Sequence, residues 1–213
     1  MDKDKNNFEL SHWLDIARRL QAISQNGLEF SNNPFDLDRY KSISDVVLYI
    51  YENHTNINSE YLKDIFAKEK GYATPKIDVR AVVFSNDKIL MVREKSDNAW
   101  SLPGGWADVG QSASECVERE VMEESGYSVK AVKLLAVNDR DRQGHPKLPY
   151  YVYQIAFLCE LIGGNPSTSN ETSDVRFFAP DNLPELSLIR VTKKQIERYF
   201  ELYKNPQLPV YFD

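Results

Sequence analysis

The chain is expected to be an α+β protein in two parts: a small all-helical segment followed by a sandwich of strands layered with helices. Three observations support this. In the first 70 residues apolar positions recur at spacings of three and four, the period of a helix. From Ile77 onward, alternating and continuous apolar runs bounded by turn residues take over, the period of strands. Between two such runs lies Gly104 to Tyr127, where a glycine turn leads into one helix carrying an unusual crowd of acids.

Taken in order, Leu10, Trp13, Leu14, Ala17, Leu20 and Ile23 form the apolar stripe of a first helix over Phe8 to Ile23. Asn26-Gly27 and Ser31-Asn32-Asn33-Pro34 read as turns. Ile43, Val46, Val47 and Ile50 form the stripe of a second helix, and Leu62, Ile65 and Phe66 that of a third, ending near Gly71. A unit this small buries little surface by itself, so residues 1–70 are expected to dimerise with a second copy. A linker at 71–76, with Pro75, separates this unit from residues 77–213.

In that second part Ile77, Val79, Ala81 and Val83 alternate with Asp78 and Arg80, which predicts a strand exposed on one face at its start and buried later. Ser85-Asn86-Asp87 turns the chain into a second strand, Lys88 to Arg93. Ala131 to Val137, Tyr150 to Leu161 and Val175 to Ala179 have strand composition, and Val191 to Tyr203 reads as a closing helix.

The whole-chain properties narrow the function classes. At 213 residues, 42% of them hydrophobic, there is material for one full domain and a smaller companion. A net charge of -6 argues against a general nucleic-acid surface, though a local basic channel for RNA stays possible. Two cysteines, Cys116 and Cys159, are too few for a disulfide framework and fit a reducing cytoplasm. No apolar signal core opens the chain and no run reaches membrane-spanning length, so a cytoplasmic protein with no membrane partner is expected.

The chemistry concentrates in the acidic helix. Ser112 with Glu115 three residues on is a capping box, and Gly126 is a natural stop. Glu120, Glu123 and Glu124 fall nearly on one face, where like charges at i,i+3 and i,i+4 repel. Arg119 can pair with Glu115 or Glu123 and hold the cluster. A divalent cation would turn the repulsion into attraction, and hard oxygen ligands suit Mg2+ or Mn2+. Gly104 and Gly105 let the backbone turn sharply, so the Gly104 carbonyl can approach the same ion.

Together the glycines, the arginine and the glutamates resemble the Nudix box of the Nudix hydrolases, G-x5-E-x7-R-E-U-x-E-E-x-G-U. Gly105, Arg119, Glu120, Val121, Glu123, Glu124 and Gly126 stand at matching positions, while Gln111 replaces the first glutamate and Tyr127 the last aliphatic residue. The resemblance implies a mixed sheet between helices and makes Glu120 and Glu124 the principal metal ligands. In the family the first glutamate mainly supports loop and helix, so Gln111 is expected to weaken metal affinity or alter the loop without abolishing the site. Gly71 to Lys76, Val79-Arg80, Leu102 to Asp108 and Asp139 to Arg142 with His145-Pro146 extend the likeness to the bacterial two-domain CDP-choline or ADP-ribose pyrophosphatases. These enzymes resemble homodimers in organisation, and some are described as trimming RNA from its 3' end.

A diphosphate resists attack by water because its oxygens repel a nucleophile, so catalysis needs neutralised charge and a positioned water. Metal held by Gly104, Glu120, Glu123 and Glu124 would meet that need. The general base is Glu120 or, from the loop before the last strand, Glu171, with Asp174 behind it. Arg140 and Arg142, if a strand continues through them, share one side and could take phosphates. Trp106 could stack on a base, and His145 in its turn could touch substrate. CDP-choline is the first substrate expected and ADP-ribose the second. An RNA-end processing enzyme and a nucleotide-sensing regulator with weak turnover are the alternatives.

Overall fold

The computed structural model describes residues 2–57, 62, 65–66 and 69–213. It divides into two compact units, residues 1–75 with 147–151, and residues 76–146 with 152–213. The inclusion of 147–151 in the first unit has no counterpart in the sequence patterns.

In the first unit, helix α1 spans Asp2–Phe30 and α2 spans Pro34–His54. The turn expected at Asn26-Gly27 is instead helical. The reason is packing: a Cβ on Gly27 would lie 2.3 Å from the Tyr40 ring, so the glycine serves as the contact point between α1 and α2. Asn33 caps α2 by accepting from Phe35 N at 2.9 Å, and Pro34 occupies the first helical position, where its missing N–H costs nothing. Leu14, Ala17, Val47, Ile50, Tyr51 and Leu62 form the buried core of this unit. Val46, one step round the helix from Val47, is 51% exposed and leaves the stripe. Leu62, Ile65 and Phe66 are helical, and the other residues of the expected third helix up to residue 68 lie outside the described residues. Within the same unit Tyr51 Oη donates to Pro149 O at 3.2 Å, Arg18 donates to Leu148 O, and Lys147 pairs with Asp15.

In the second unit the strands are β1 Lys76–Ser85, β2 Lys88–Glu94, β3 Trp100–Ser101, β4 Tyr127–Asp139, β5 Val152–Gly164, β6 Thr172–Phe178 and β7 Tyr211–Phe212. Helix α3 spans Ala113–Ser125 and α4 spans Lys193–Lys204. The order across the mixed sheet is β3-β2-β1-β5-β4-β7, with β6 also paired to β2. β1 runs parallel to β5, and β5 antiparallel to β4. One face of β1, Val79, Ala81 and Val83, packs on Cys116, Val117 and Val121 of α3. The other carries Val82 into a cluster with Ile196, Tyr199 and Phe200 of α4. A sheet between two helices is the layered sandwich that the patterns imply.

Asp78 and Arg80 depart from expectation: they are 5% and 7% exposed, not solvent-facing. They lie on the α4 face and neutralise each other through a bidentate pair, Nε to Oδ2 at 3.0 Å and Nη2 to Oδ1 at 2.8 Å. No helix among the described residues is long and apolar enough to cross a membrane.

Candidate active site

Helix α3 starts where its cap requires. Ser112 Oγ accepts from Glu115 N at 3.3 Å, and Glu115 Oε2 accepts from Ser112 N at 2.8 Å. Gly126, at φ 74°, ends the helix with its N–H on Met122 O. With Cys116, Val117 and Val121 turned into the sheet, the flank beside them brings Glu120 and Glu124 towards the glycine loop.

That loop admits only glycine at position 104 and leaves little room at 105. A Cβ on Gly104, at φ 143°, would lie 2.0 Å from Val79 O, and one on Gly105 would lie 3.1 Å from Glu120 Oε2. Gly104 N donates to Glu124 Oε2 at 2.9 Å. Two carboxylates therefore converge on one turn of backbone.

Arg119 organises the outer side. Its Nη1 donates to Glu123 Oε2 at 2.8 Å and its Nη2 to Asp108 Oδ2 at 2.8 Å, with Glu120 Oε1 at 3.0 Å. Its Nε donates to Gln111 Oε1 at 3.2 Å, so the amide that replaces the first acid of the box accepts the arginine in the acid's stead. The pairing expected with Glu115 is not made, because Glu115 is engaged in the cap.

Burial raises the Glu124 carboxyl from 4.5 to about 8; the Arg80 charge and the Gly104 N–H oppose the rise, while Glu94 and Glu120 add to it. Burial also raises Glu120, against the nearby Arg119 charge. Among the described residues no three side chains of His, Cys, Asp or Glu already close on one point, since Arg119 draws Glu123 outward. Glu120 and Glu124 are nonetheless desolvated and repel each other when ionised, and their oxygens are hard donors, so they fit a divalent cation that would offset both costs.

Behind this pair lies Glu94, 3% exposed, which the strand period did not single out. The β2–β6 register slips between Arg93 and Glu94, and such a bulge re-aims a side chain. Glu94 Oε1 accepts from Ser101 Oγ at 2.5 Å and meets Arg190 Nε at 3.2 Å. Opposite Glu94, Thr172 Oγ1 donates to Glu124 O at 2.7 Å. Asp78, Arg80 and Gln154 were equally missed as a connected group: Gln154 Nε2 donates to Asp78 Oδ2 at 2.7 Å, and Gln195 Nε2 donates to Gln154 Oε1 at 2.7 Å.

The remaining candidates fall in different places. Glu171 is exposed beside Thr172, its carbonyl accepting from Lys95 N at 2.8 Å and its N–H meeting Ser169 Oγ at 3.0 Å, so its backbone is stitched in place. Asp174 pairs with Arg176 at 2.5 Å. Trp106 is 47% exposed and bridges Asp78 in an antiparallel fashion. Arg140 and Arg142 do not share a strand face: Asp139 accepts from Asp141 N at 3.0 Å and starts a 3-10 turn, Arg140–Arg142. Arg140 is 2% exposed and donates to the carbonyls of Pro146 and Ile189, whereas Arg142 is exposed near Asp139 at 3.5 Å. His145 is buried with Nδ1 at 2.7 Å from Leu188 O; burial lowers its pKa to about 4, keeping the ring neutral.

The NUDIX domain family pattern matches residues 74–200, and a family described as a UDP-X-like, N-terminal oligomerisation domain matches residues 11–66. A Bacillus subtilis (strain 168) protein, YjhB, provisionally named an ADP-ribose pyrophosphatase, is 40% identical over 94% of this chain and 97% of its own. The crystal structure of a UDP-X diphosphatase is 34% identical, with a TM-score of 0.63 over 96% of this chain and all of that one. An ADP-ribose pyrophosphatase from Streptococcus suis is 40% identical, with a TM-score of 0.61 over 66% of this chain and all of that one. With the box geometry in place and both parts of the chain matched, the chain belongs to the Nudix hydrolase family.

Proposed function

We propose that the chain hydrolyses the pyrophosphate bond of a nucleoside diphosphate derivative, releasing a nucleoside monophosphate and a phosphorylated remainder. The observation that carries this reading is the convergence of the buried Glu124 and the half-buried Glu120 carboxylates on the Gly104-Gly105 turn. Mg2+ or Mn2+ would be held by these two acids, with Glu123 and the Gly104 carbonyl as further donors. Such an ion supplies charge neutralisation at the diphosphate and a more acidic bound water. Arg119 orients Glu120 and Glu123, and Glu171, exposed on its stitched loop, is the base that takes the proton from the attacking water. Trp106 offers a flat face for a base, and Arg142 a cation for phosphate. Arg140 and His145 serve the site from beneath, since their polar atoms are turned to backbone carbonyls.

The names of the relatives support ADP-ribose and UDP-linked compounds as the leading substrates, with CDP-choline beside them. The oligomerisation domain matched at residues 11–66, with Ile23, Phe30, Phe35 and Tyr49 exposed on its two helices, supports a homodimer formed through this unit. The test incubates the protein with Mg2+ or Mn2+ and ADP-ribose, UDP-glucose, CDP-choline and short RNA. Glu124→Gln is expected to lower the rate on the order of a thousand-fold, several kcal/mol at about 1.4 kcal/mol per tenfold. An unchanged rate in that variant removes the metal assignment.

A further inference from the structure

Three consecutive backbone carbonyls ahead of α4 are each captured by a buried side chain from β5 or from the connection between β4 and β5. Leu188 O faces His145 Nδ1 at 2.7 Å. Ile189 O accepts from Arg140 Nη2 at 2.8 Å and Nε at 3.3 Å. Arg190 O accepts from Gln154 Nε2 at 3.0 Å. The ends of the segment are pinned as well: Ser187 N donates to Trp100 O at 2.8 Å, and the Arg190 guanidinium reaches Glu94 and Asp97.

Loop carbonyls are ordinarily satisfied by water at the surface. Holding three in a row with a guanidinium, an imidazole and an amide, all nearly fully buried, costs desolvation that plain loop closure does not require. Its consequence is a backbone with little freedom, from which Leu188 and Ile189 project 54% and 44% exposed. Single exposed aliphatic residues are commonplace, but two adjacent ones on an immobilised backbone form a fixed apolar surface. Two chains of contact link this segment to the site. Arg190 grips Glu94, whose charge Glu124 feels, and Gln154 bonds Asp78, the ladder partner of Trp106.

We propose that residues 187–190 form a specificity-determining wall of the active site, in which Arg140, His145 and Gln154 are positioning residues and Leu188 and Ile189 meet the nucleobase of the substrate. This rests on the hydrolase reading above. A base has flat apolar faces; Trp106 meets one by stacking, and an aliphatic pair on rigid backbone suits the other.

The experiment compares wild type, the Leu188→Ala/Ile189→Ala double variant and Arg140→Gln on ADP-ribose, UDP-glucose and CDP-choline, together with Mn2+ affinity and calorimetric binding of AMP, UMP and CMP. The double variant is expected to change the relative kcat/KM among the three bases by about tenfold, the scale of lost aliphatic contacts in a pocket. The change is expected in KM, with Mn2+ affinity within about twofold, because the acids are untouched. Arg140→Gln should move selectivity the same way; a role confined to stability would lower its Tm and leave the ratios alone. Ratios unchanged in the double variant, whose exposed positions tolerate truncation, overturn the proposal. Should wild type cleave none of the three, the hydrolase reading falls separately, and the monophosphates decide the wall. Discrimination among AMP, UMP and CMP that is lost in the double variant supports it; equal binding by both proteins, or none by wild type, overturns it.

Discussion

Two arginines flank the acidic centre and hold it by different physics. Arg119, with 27% of its side chain exposed, spreads its guanidinium over Asp108, Gln111, Glu120 and Glu123 at the rim. Arg80, 7% exposed, concentrates on Asp78 and on Leu102 O at 3.1 Å, beneath the acids. Water and salt can replace much of what Arg119 does, so its bonds steer side chains more than they stabilise the fold. Nothing replaces Arg80: without it Asp78 is a buried charge, and Glu124 loses the cation that opposes its protonation.

The largest effect that would break this contrast is on stability. Arg80→Gln should cost about 3–5 kcal/mol in urea unfolding, as for other broken buried pairs, and adding Asp78→Asn should recover part of it. A loss as small as that of a surface pair would place Arg80 in the same class as Arg119.

Next is the pH dependence of the metal-free protein. The Glu124 carboxyl is raised from 4.5 to about 8, so the folded state binds a proton more tightly than the unfolded one. Its contribution to stability is full below about pH 4.5 and is lost as pH rises through about 8. Glu124→Gln should flatten that decline, and a saturating divalent ion should offset it, by about 2.7 kcal/mol at a hundred times its Kd. An identical slope in wild type and variant would remove the burial argument.

Arg119→Gln should cost less than about 1 kcal/mol at 0.15 M salt and less again at 1 M, as screening shortens from about 8 to about 3 Å. The cost of Arg80→Gln should hardly respond to salt. The smallest effect is expected from Gln111→Glu: Arg119 already donates to the amide oxygen, so stability should move by no more than about 0.5 kcal/mol. Thermal unfolding of the two variants side by side checks both.

The contrast also marks which parts of the site were legible beforehand. The rim is local: cap, arginine and glutamates lie within one helix, where spacing dictates neighbours, and so Ser112, Arg119, Glu120, Glu123 and Glu124 could be placed by counting. The floor is not. Charged residues alternating with apolar ones usually mean a solvated face, so the pattern reads Asp78 and Arg80 as exposed, whereas Asp78 is bonded to Gln154, 76 residues on. Glu94 is turned inward by a register slip that no period of two contains. Arg140 and Arg142 separate because Asp139 caps a tight turn, a side-chain choice that competed with strand continuation.

By itself the sequence determined the two-part architecture, the capped acidic helix and the glycine turn before it, because each follows from contacts a few residues apart. Only the tertiary structure decided what lies beneath the acids and what fixes the 187–190 segment. The bonds to the 188–190 carbonyls join positions 36 to 49 residues apart and Gln154 meets Asp78 across 76, and burial alone decides whether a charge there faces water or a partner.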